Sequence, residues 1–586
     1  MKQNKYGTWA VGAFMLLLSA AACTDSYEST PVDMFTEDYL FSRTDSNGTV
    51  VRKYLNRIYY YMRNGHNGVN GDYLDAASDD ALSVISSESD VYKLAIGRYS
   101  ASNLMIWSDP YLVIRRVNIL LSGIDVVPFN TTYTDALGNT RRLNESMKAE
   151  ARFLRAYFYF ELVKRYGGVP IIGDKVYELN ENIELPRSTF EQCIKYIVSE
   201  LDDIKDDLRS LPLPDAAASA HVVNTQAAQA LKIRVLLYAA SPLFNEKPIE
   251  PGNELIGYAS YDRERWKIAA DAARNFINTY GTGDGAIMGL DDNFKNVFTN
   301  WYSNEHKEVI FFRENAMDKT VETANGPLGL SGAKQGNGRT NPTQNLVDAF
   351  LMKDGHFIKE GKYEYNEQLP YAQRDPRLEY TIIHNGSSWV NSTMETWQGG
   401  ANNPLGSSYS LTSYYMRKFM GDFEAANEYQ DTQHNWVMFR YAEILLNFAE
   451  AENEYLPTPS QAVYDAIIAL RRRAGIEPGD KNLYGLTTDE LTHNLTQAEM
   501  RKVIQNERRI ELAFEEHRYW DIRRWRLAEQ VYAQPIQGMY ITKSQTSTTY
   551  VPQSVLNVQW DNKRYFYPIP YSEVIKNKNM VQNPNW

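Results

Sequence analysis

The residues best suited to acid–base chemistry in this chain are Glu515, Glu516 and His517, which stand side by side. A carboxylate pair beside an imidazole provides the groups that general acid–base catalysis uses. The same residues fall within a run of mixed charge, 505–525, that has the pattern of a helix, where ion pairing is the more common role of such groups. The residue types therefore allow a catalytic or a structural interpretation, and the charge pattern favours the structural one.

Other patterns for catalysis or metal binding fail on their context. The chain has 8 histidines, none in an H-E-x-x-H arrangement. The glycine-rich run from Gly281 follows a predicted helix, whereas a dinucleotide site follows a strand. The run from Asp480 begins like a calcium loop but has Tyr484 and Leu491 where ligands are needed. The sequence predicts no enzyme, catalytic residue, cofactor or metal ligand, although 73 acidic residues allow chance pairs of the glycosidase type.

Two stretches have the composition of long functional loops. Between Phe312 and Trp436 the chain is rich in Gly, Asn, Ser and Thr with isolated aromatic residues, and 65–99 holds a smaller patch of the same kind. Long loops within a compact protein are usually functional or disordered. Aromatic residues make up 13% of the chain, including 41 tyrosines. Rings among small polar residues favour a binding role, since a ring offers a flat apolar surface and a polar edge.

The elements predicted to carry these loops are helices that come in pairs. The helix from Met147 is apolar on most sides and ends at Gly167. A capping box at Ser188 and Glu191 begins its partner, whose apolar stripe contains Cys193, a predicted core thiol.

Two further pairs are predicted at 225–242 with 262–277, and at 438–454 with 460–475. Small residues are expected at their crossings, at Ala228, Ala230, Ala449 and Ala451. The pattern resembles irregular tetratricopeptide repeats, with an unrelated helical bundle as the alternative.

The N-terminus has the features of a secretory signal peptide over 1–22. Lys2 and Lys5 precede a short apolar stretch that ends in LLLSAAAC, whose last residue is Cys23. The motif resembles a bacterial lipobox, so Cys23 is expected to carry lipid, such as palmitate, as the first mature residue; an incidental cysteine is the alternative. Several acyl chains would anchor the protein firmly. The acidic residues that follow resemble the surface-export signal of Bacteroidetes lipoproteins.

Composition excludes several classes of protein. Cys23 and Cys193 are the only cysteines, so no disulfide framework is expected. A formal net charge of −12 argues against nucleic acid as a partner.

Several segments closely resemble the SusD/RagB family of outer-membrane nutrient-binding lipoproteins. The strongest are QNERRIELAFEEHRYWDIRRW from Gln505 and the C-terminal run containing PIP and NPNW. Weaker segments begin at Trp107, Pro342, Arg374 and Arg440. The resemblance covers the chain from Cys23 to Trp586 and is thinnest in the loops.

The resemblance implies a mainly α fold of irregular tetratricopeptide-like helix pairs, with a loop-rich ligand-binding face. It implies one domain over 23–586, with a helical scaffold at about 50–312 and 437–530 and a loop-rich insert at about 313–436. Family members look like lids on a SusC-like TonB-dependent transporter barrel, held at the surface of the outer membrane by lipid.

The resemblance leads to three functional hypotheses. The first is the capture of oligosaccharides or polysaccharides for import, which the aromatic and Asn-rich loops favour. The second is peptide capture of the RagB type, which a long apolar groove or an open strand edge would support. The third and weakest is a surface glycoside hydrolase.

The resemblance places the ligand on the two loop regions, and we expect the aromatic side chains that bind it to be exposed. The candidate binding residues are Tyr73, Asp79, Tyr99, Asn103, Trp301, Tyr302, Arg374, Trp389, Trp397 and Tyr415.

Overall fold

The computed structural model describes residues 37–85, 88–103, 106–178, 181–211, 221–299, 301, 306–404, 410–479, 481–486 and 495–586. Its α-helices are α1 (Glu37–Leu40), α2 (Thr49–Tyr59), α3 (Asp90–Ile96), α4 (Ser108–Gly123), α5 (Leu143–Tyr166), α6 (Phe190–Ile204), α7 (Thr225–Ala240), α8 (Pro242–Asn245), α9 (Glu264–Tyr280), α10 (Asn296–Thr299), α11 (Thr320–Asn325), α12 (Gln344–Ala349), α13 (Arg377–Thr381), α14 (Tyr441–Tyr455), α15 (Gln461–Ala474), α16 (Gln497–Glu511), α17 (Arg518–Arg524), α18 (Ala528–Tyr532) and α19 (Tyr571–Lys576).

The long helices form one continuous row. α2 packs on α4, α4 on α5, α5 on α6, α6 on α7, α7 on α9, α9 on α14, and α14 on both α15 and α16. All three predicted pairs are therefore confirmed: α5 with α6, α7 with α9, and α14 with α15. The four alanines expected at the crossings are all buried. The fold is mainly α and tetratricopeptide-like, as the sequence predicts.

Helix α5 is the centre of this row. It is 24 residues long and is buried along most of its length, because helices lie on several sides of it. Its end at Gly167 is confirmed: this residue has a φ of 75°, and a Cβ there would meet the Leu255 carbonyl. Cys193 of α6 is buried as predicted, and burial raises the pKa of its thiol to about 11.

The cap of α6 lies one residue later than the sequence predicts. Thr189 is the N-cap: its hydroxyl accepts from the Gln192 backbone, and the Gln192 side chain accepts from the Thr189 N–H. Ser188 is held in the preceding extended segment, where its N–H donates to the Val169 carbonyl. The capping box is real, but its members are not Ser188 and Glu191.

The strands are short and pair two by two, in antiparallel fashion, within the described part of the chain. They are β1 (Ala81–Ser83), β2 (Thr132–Thr134), β3 (Thr140–Arg142), β4 (Val309–Arg313), β5 (Met317–Asp318), β6 (Thr340–Pro342), β7 (Ile382–Ile383), β8 (Ser388–Trp389), β9 (Ser392–Thr393), β10 (Tyr415–Met416), β11 (Thr432–Gln433), β12 (Trp436–Arg440), β13 (Ile536–Lys543) and β14 (Thr548–Leu556). The pairs are β1–β6, β2–β3, β4–β12, β5–β11, β7–β10, β8–β9 and β13–β14.

The region between Phe312 and Trp436 is loop-rich, as its composition indicates. Within its described residues no helix exceeds 6 residues, and the strands are pairs of two or three residues. The longest strand pair, β13–β14, instead follows the last helices of the row, where the sequence analysis makes no strand prediction. Pro552 lies within β14 and obscures the strand pattern of that segment.

Charged side chains from the resembling segments meet in the interior. We call this set the buried charge layer; its members are Arg377, Lys418, Arg440, Arg471, Arg473, Glu308, Asp375, Glu507, Glu511 and Glu515. Arg440 Nη1 lies 2.7 Å from carboxylate oxygens of both Glu308 and Glu511. The layer joins β4, β12, α13, α15 and α16 through charge-assisted hydrogen bonds.

Ion pairing is also confirmed at Asp521 and Arg524 of α17. Asp521 contacts Arg508 at 2.7 Å and Arg524 at 2.8 Å. Arg523 differs: in the described structure it has no carboxylate partner, and its guanidinium carbon lies 3.5 Å from the centroid of the Tyr519 ring.

Among the described residues, none of the helices is both long enough and apolar enough to cross a bilayer.

Candidate functional site

The most exposed large hydrophobic side chain of the described structure is Tyr60, at 73%. It is the middle one of three consecutive tyrosines, 59–61, at the end of α2. A helix turns by about 100° per residue, so three adjacent rings cannot all face the core. Tyr59 turns inward, and its hydroxyl donates to Glu150 at 2.8 Å. Tyr60 is therefore left with its ring in solvent.

Arg313, the last residue of β4, supports the Tyr60 ring. Its guanidinium carbon lies 5.3 Å from the ring centroid, and Nη1 donates to the Asn315 side chain. Its Nε is shielded from solvent and has no hydrogen-bond partner. Within the described residues Arg313 forms no ion pair, and burial lowers its pKa. Because an arginine titrates so far above neutrality, it stays charged.

Side-chain amides surround this pair. The amides of Asn64 and Asn315 hydrogen-bond to each other at 3.3 Å. Asn315 also donates to the His434 carbonyl at 2.7 Å, and its backbone N–H donates to the Asn435 side chain at 3.0 Å. Carboxamides that are held in this way offer donors and acceptors in fixed directions.

A second row of amides extends the surface along the loop 65–72. Asn325 donates to the Asn67 side chain at 2.9 Å, and Arg339 donates to the carbonyl of Asn70. Gly71 has a φ of 93°, and a Cβ there would meet the Arg339 guanidinium. The early loop is thus held against the late one. We call the surface formed by Tyr60, Asn64, Asn67, Arg313 and Asn315 the amide face.

Buried titratable groups lie beneath the amide face. Burial lowers the pKa of His66 to about 3, with the nearby His434 acting in the same direction, so its imidazole is neutral. Burial raises the pKa of Asp72 to about 6, although Arg339, at 3.3 Å, opposes this. The carboxylates beneath the face have partners of their own, since Asp72 contacts Arg339 and Glu322 contacts His434 at 3.0 Å, and neither forms an ion pair with Arg313.

Four of the aromatic candidates are buried, contrary to the expectation that binding rings are exposed: Tyr73, Tyr99, Trp389 and Tyr415. Trp389 is fully buried, and its indole N–H donates to the Tyr429 hydroxyl at 2.9 Å. The Tyr73 hydroxyl hydrogen-bonds to His66 Nδ1 at 2.7 Å. Because these loops fold into packed layers, the rings form the loops' own core. They offer no surface to a ligand in this structure.

Two polar candidates also have structural partners. Asp79 is buried between Arg509 and Arg518, each at 2.8 Å. Arg374 is buried as well, and its guanidinium donates to backbone carbonyls, including Val347 at 2.6 Å. Both side chains are committed to holding the fold together, and neither faces a ligand.

Trp301 is half-buried rather than exposed. Its indole N–H donates to the Phe298 carbonyl at 3.1 Å, and its ring lies 5.2 Å from that of Phe312. It packs against Phe312 of β4, the strand whose last residue, Arg313, belongs to the amide face. Tyr302 and Cys23 lie outside the described residues.

Trp397 and Asn103 are the remaining candidates. Trp397 is half-buried, and the Lys543 ammonium lies 5.3 Å from its ring centroid. Its indole N–H has no hydrogen-bond partner. Asn103 is exposed, but its side-chain oxygen accepts from the Ser100 N–H at 2.6 Å and closes a turn. Neither lies among the contacts of the amide face.

The acid–base group at 515–517 is structural. Burial alone would raise the pKa of Glu515, but the adjacent Arg440 and Lys418 hold it below its usual value. His517 accepts from Arg508 at 3.0 Å, and burial, with that cation, holds its pKa well below the usual value. Within the described residues, no group of three His, Cys, Asp or Glu side chains is arranged to hold a metal.

A groove lies on the helical row of the structure. The groove has a volume of about 530 Å³ and runs between α6, α7 and α9, with Ile194, Val198 and Leu236 in its lining. Its aromatic residue, Tyr258, is covered by the Arg265 guanidinium, 3.6 Å from the ring centroid. The groove therefore offers no open ring, whereas the amide face does.

The sequence analysis missed Tyr60 and the groups around it. A signal was present: three consecutive tyrosines, 59–61, cannot all face the core from one end of a helix, so at least one ring must point outward. The fold and this face together define a class of protein, a tetratricopeptide-like helical frame that presents a loop-built polar surface with an open aromatic ring.

Comparison with known proteins identifies the family. Residues 307–586 match the family model described as SusD family, and residues 36–237 match the one described as starch-binding associating with outer membrane. The chain belongs to the SusD/RagB family.

Curated and solved relatives agree with this assignment. SusD-like protein P2 of Formosa agariphila is 24% identical over 579 residues, which cover 97% of both chains. A SusD-like carbohydrate-binding protein from Bacteroides fragilis has a TM-score of 0.70 at 24% identity, over 92% of this chain and 99% of that chain. A laminarin-binding SusD-like protein has a TM-score of 0.62 at 19% identity, over 92% and 100%. These structural likenesses show a shared fold.

Proposed function

We propose that this protein binds glycans through the amide face, at the surface of the outer membrane, without transforming them. The observation that carries the proposal is the exposed Tyr60 ring, backed by Arg313 and flanked by the fixed amides of Asn64 and Asn315. A pyranose has apolar C–H faces that suit a ring and hydroxyls that suit carboxamides. The names of two solved relatives, carbohydrate-binding and laminarin-binding, support the same class of ligand.

The location follows from family membership and from the N-terminal motif. The model matching 36–237 is described as associating with the outer membrane. A lipid on Cys23 would hold the protein there, and a SusC-like TonB-dependent transporter would receive the captured glycan.

Peptide capture has less support from the structure. A peptide that adds to a sheet needs an open strand edge. β14 has an outer edge, but the Gln368 side chain occupies it by bonding both the N–H and the carbonyl of Tyr550, at 3.0 and 3.2 Å. Pro552, two residues on, has no N–H to offer. The edge most suited to peptide addition is therefore blocked.

Hydrolysis also has little support, because the most suggestive acid–base group, 515–517, is buried and ion-paired. A glycosidase needs two carboxyl groups facing a bound sugar.

A glycan array probed with the full-length protein in mild detergent tests the proposal. We expect retention on at least one polysaccharide and none on a peptide library. Prolonged incubation with the bound glycan should release no reducing ends. Binding to peptides alone, or turnover of the glycan, would overturn the proposal.

A further inference from the structure

Two neighbouring helices of this acidic protein are poor in acidic residues. The stretch 46–71, which includes α2, contains neither Asp nor Glu, and α4 contains a single acidic residue, Asp109, in its first turn. The chain as a whole has a formal net charge of −12. Since α2 and α4 pack together, the two helices form one surface with few acidic groups, although Glu150 of α5 accepts from Tyr59 there.

The stretch 46–71 and α4 together contain six lysine and arginine residues: Arg52, Lys53, Arg57, Arg63, Arg115 and Arg116. Arg63 is paired with Glu516. The other five are exposed or half-exposed and form no ion pair among the described residues, although Arg115 donates to the Tyr177 carbonyl. Basic residues elsewhere on the helical row are commonly paired: Lys195 contacts Glu191 at 2.7 Å, and Lys267 contacts Asp271 at 2.6 Å. Uncompensated cations at this density create a local positive potential.

Three of the arginines converge on one tyrosine. Burial raises the pKa of Tyr54 to about 12, against the opposing charges of Arg116, Arg115 and Arg57. The Arg116 guanidinium also lies 4.8 Å from the centroid of the Tyr61 ring. Its Nη1 is shielded from solvent and has no hydrogen-bond partner.

This cluster meets the amide face at the end of α2. Tyr60 and Tyr61 are consecutive in the chain, and each ring has its own arginine: Arg313 for Tyr60 and Arg116 for Tyr61. Arg313 likewise has no ion-pair partner within the described structure. We call this set the arginine–tyrosine row; its members are Tyr54, Arg57, Tyr60, Tyr61, Arg115, Arg116 and Arg313.

We propose that the arginine–tyrosine row recognises the carboxylate or sulfate groups of an acidic glycan. The inference rests on the proposed function and narrows its ligand class. A guanidinium presents a planar fork of donors that matches a carboxylate or a sulfate ester, and it stacks on rings. A neutral glycan would leave this group of cations uncompensated, whereas an acidic one supplies the missing anions and still presents sugar faces to Tyr60.

An anionic membrane surface is the other partner that a cationic surface could meet. The amide face argues against it, because lipid headgroups have no use for fixed carboxamides and an open ring beside the arginines. A lipid on Cys23 would anchor the chain on the N-terminal side of α2, which begins at Thr49, whereas the Arg–Tyr pairs lie at the opposite end of that helix. Binding to an anionic membrane is therefore one of the outcomes that the test distinguishes.

The test uses matched glycans that differ only in charge. Polygalacturonate is compared with its fully methyl-esterified form, and chondroitin sulfate with its desulfated form, by titration of the full-length protein in non-ionic detergent. We expect at least one acidic form to bind roughly tenfold more tightly than its neutralised partner at low salt. The difference should shrink as added salt screens the charges.

A triple variant identifies the residues responsible. Arg57→Gln with Arg115→Gln and Arg116→Gln should remove the preference for the acidic form, roughly tenfold, since each exposed ion pair contributes only a few-fold. The control is Lys195→Gln with Lys267→Gln, which removes charges from other helices and should leave the preference unchanged. Thermal unfolding of both variants should match that of the parent protein.

The outcomes separate the two proposals. Equal affinity for charged and neutralised forms would overturn the acidic-glycan inference and leave glycan binding intact. No retention of any glycan would overturn both. Equal binding of poly-glutamate, or of vesicles rich in phosphatidylglycerol, with the same loss in the triple variant, would overturn the inference in favour of a general anion or membrane surface.

Discussion

The buried charge layer and the amide face use the same residue types in opposite ways. In the layer, Arg440 is 1% exposed and contacts Glu308, Glu511 and Glu515, so the cation is fully neutralised. On the amide face, Arg313 has only an amide and an aromatic ring beside it. Arg440 in the layer therefore cannot bind a further anion, whereas Arg313 on the amide face can. A long string of charged residues can thus form a structural framework, whereas an arginine without an acidic partner is available to a ligand.

The largest expected effect lies in the layer. Replacing Glu511 with Gln leaves Arg440, Arg473 and Arg377 short of negative charge in a dry interior. Breaking a buried ion pair from one side costs about 3–5 kcal/mol, so the free energy of unfolding in urea should fall by that amount. Glu191→Gln, which removes an exposed partner of Lys195, should change it by less than about 1 kcal/mol. A similar loss in both variants would show that burial does not distinguish the two sites.

The second prediction concerns Trp389, an aromatic residue in the packed interior of the loops, which should contribute to stability but not to glycan binding. Trp389→Ala removes a buried indole and its hydrogen bond to Tyr429. The loss should lower the free energy of unfolding by about 3 kcal/mol, while the folded protein keeps its glycan affinity. Lower affinity in a variant with unchanged stability would restore Trp389 as a binding residue.

These two sites show what the sequence reveals and what it hides. Helix pairs, the end of α5 at Gly167 and the burial of Cys193 follow from periodicity and helix-ending residues, which act locally. Trp389 and Tyr415 could not be told from exposed rings, because a Gly- and Asn-rich composition does not say whether a loop folds back on itself. The partners that bury them, such as Tyr429, come from another part of the loop region.

The same limit applies to single positions and to the site. Thr189 rather than Ser188 caps α6 because a distant contact with Val169 holds Ser188 extended. The amide face joins the end of α2 to β4, segments that are about 250 residues apart in the chain. Only the tyrosine triplet signals it locally.

The third prediction tests the open ring of the amide face. Tyr60→Ala should leave the free energy of unfolding nearly unchanged, because the side chain is 73% exposed. Loss of a stacking ring should cost about 1 kcal/mol or more of binding energy, close to a tenfold rise in Kd by calorimetry. Tyr261→Ala removes a ring that is 53% exposed before α9 and should bind like the parent protein. If the two variants bind equally well, the ligand lies elsewhere.

The smallest expected effect comes from Asn64→Asp, which would give Arg313 on the amide face an acidic neighbour like those of the arginines in the buried charge layer. Asn64→Asp keeps the shape of the side chain and places a carboxylate beside Asn315, which already contacts Arg313. Arg313 would then have a nearby anion of its own, as Arg440 has. Surface ion pairs contribute less than about 1 kcal/mol, so stability should barely change. Affinity for an acidic glycan should nevertheless fall about three- to fivefold, since the ligand's anion now competes with an internal one.

Neutral glycans should lose less affinity for this variant than acidic ones, because the Tyr60 ring is unchanged and a carboxylate at position 64 still accepts hydrogen bonds from sugar hydroxyls. Asn275→Asp, on the exposed side of α9, adds the same charge elsewhere and serves as the control. An equal loss in both variants would attribute the effect to net charge rather than to Arg313. Unchanged affinity of Asn64→Asp for an acidic glycan would mean that Arg313 does not bind the anionic group of the ligand. The buried charge layer and the amide face would then differ only in solvent exposure.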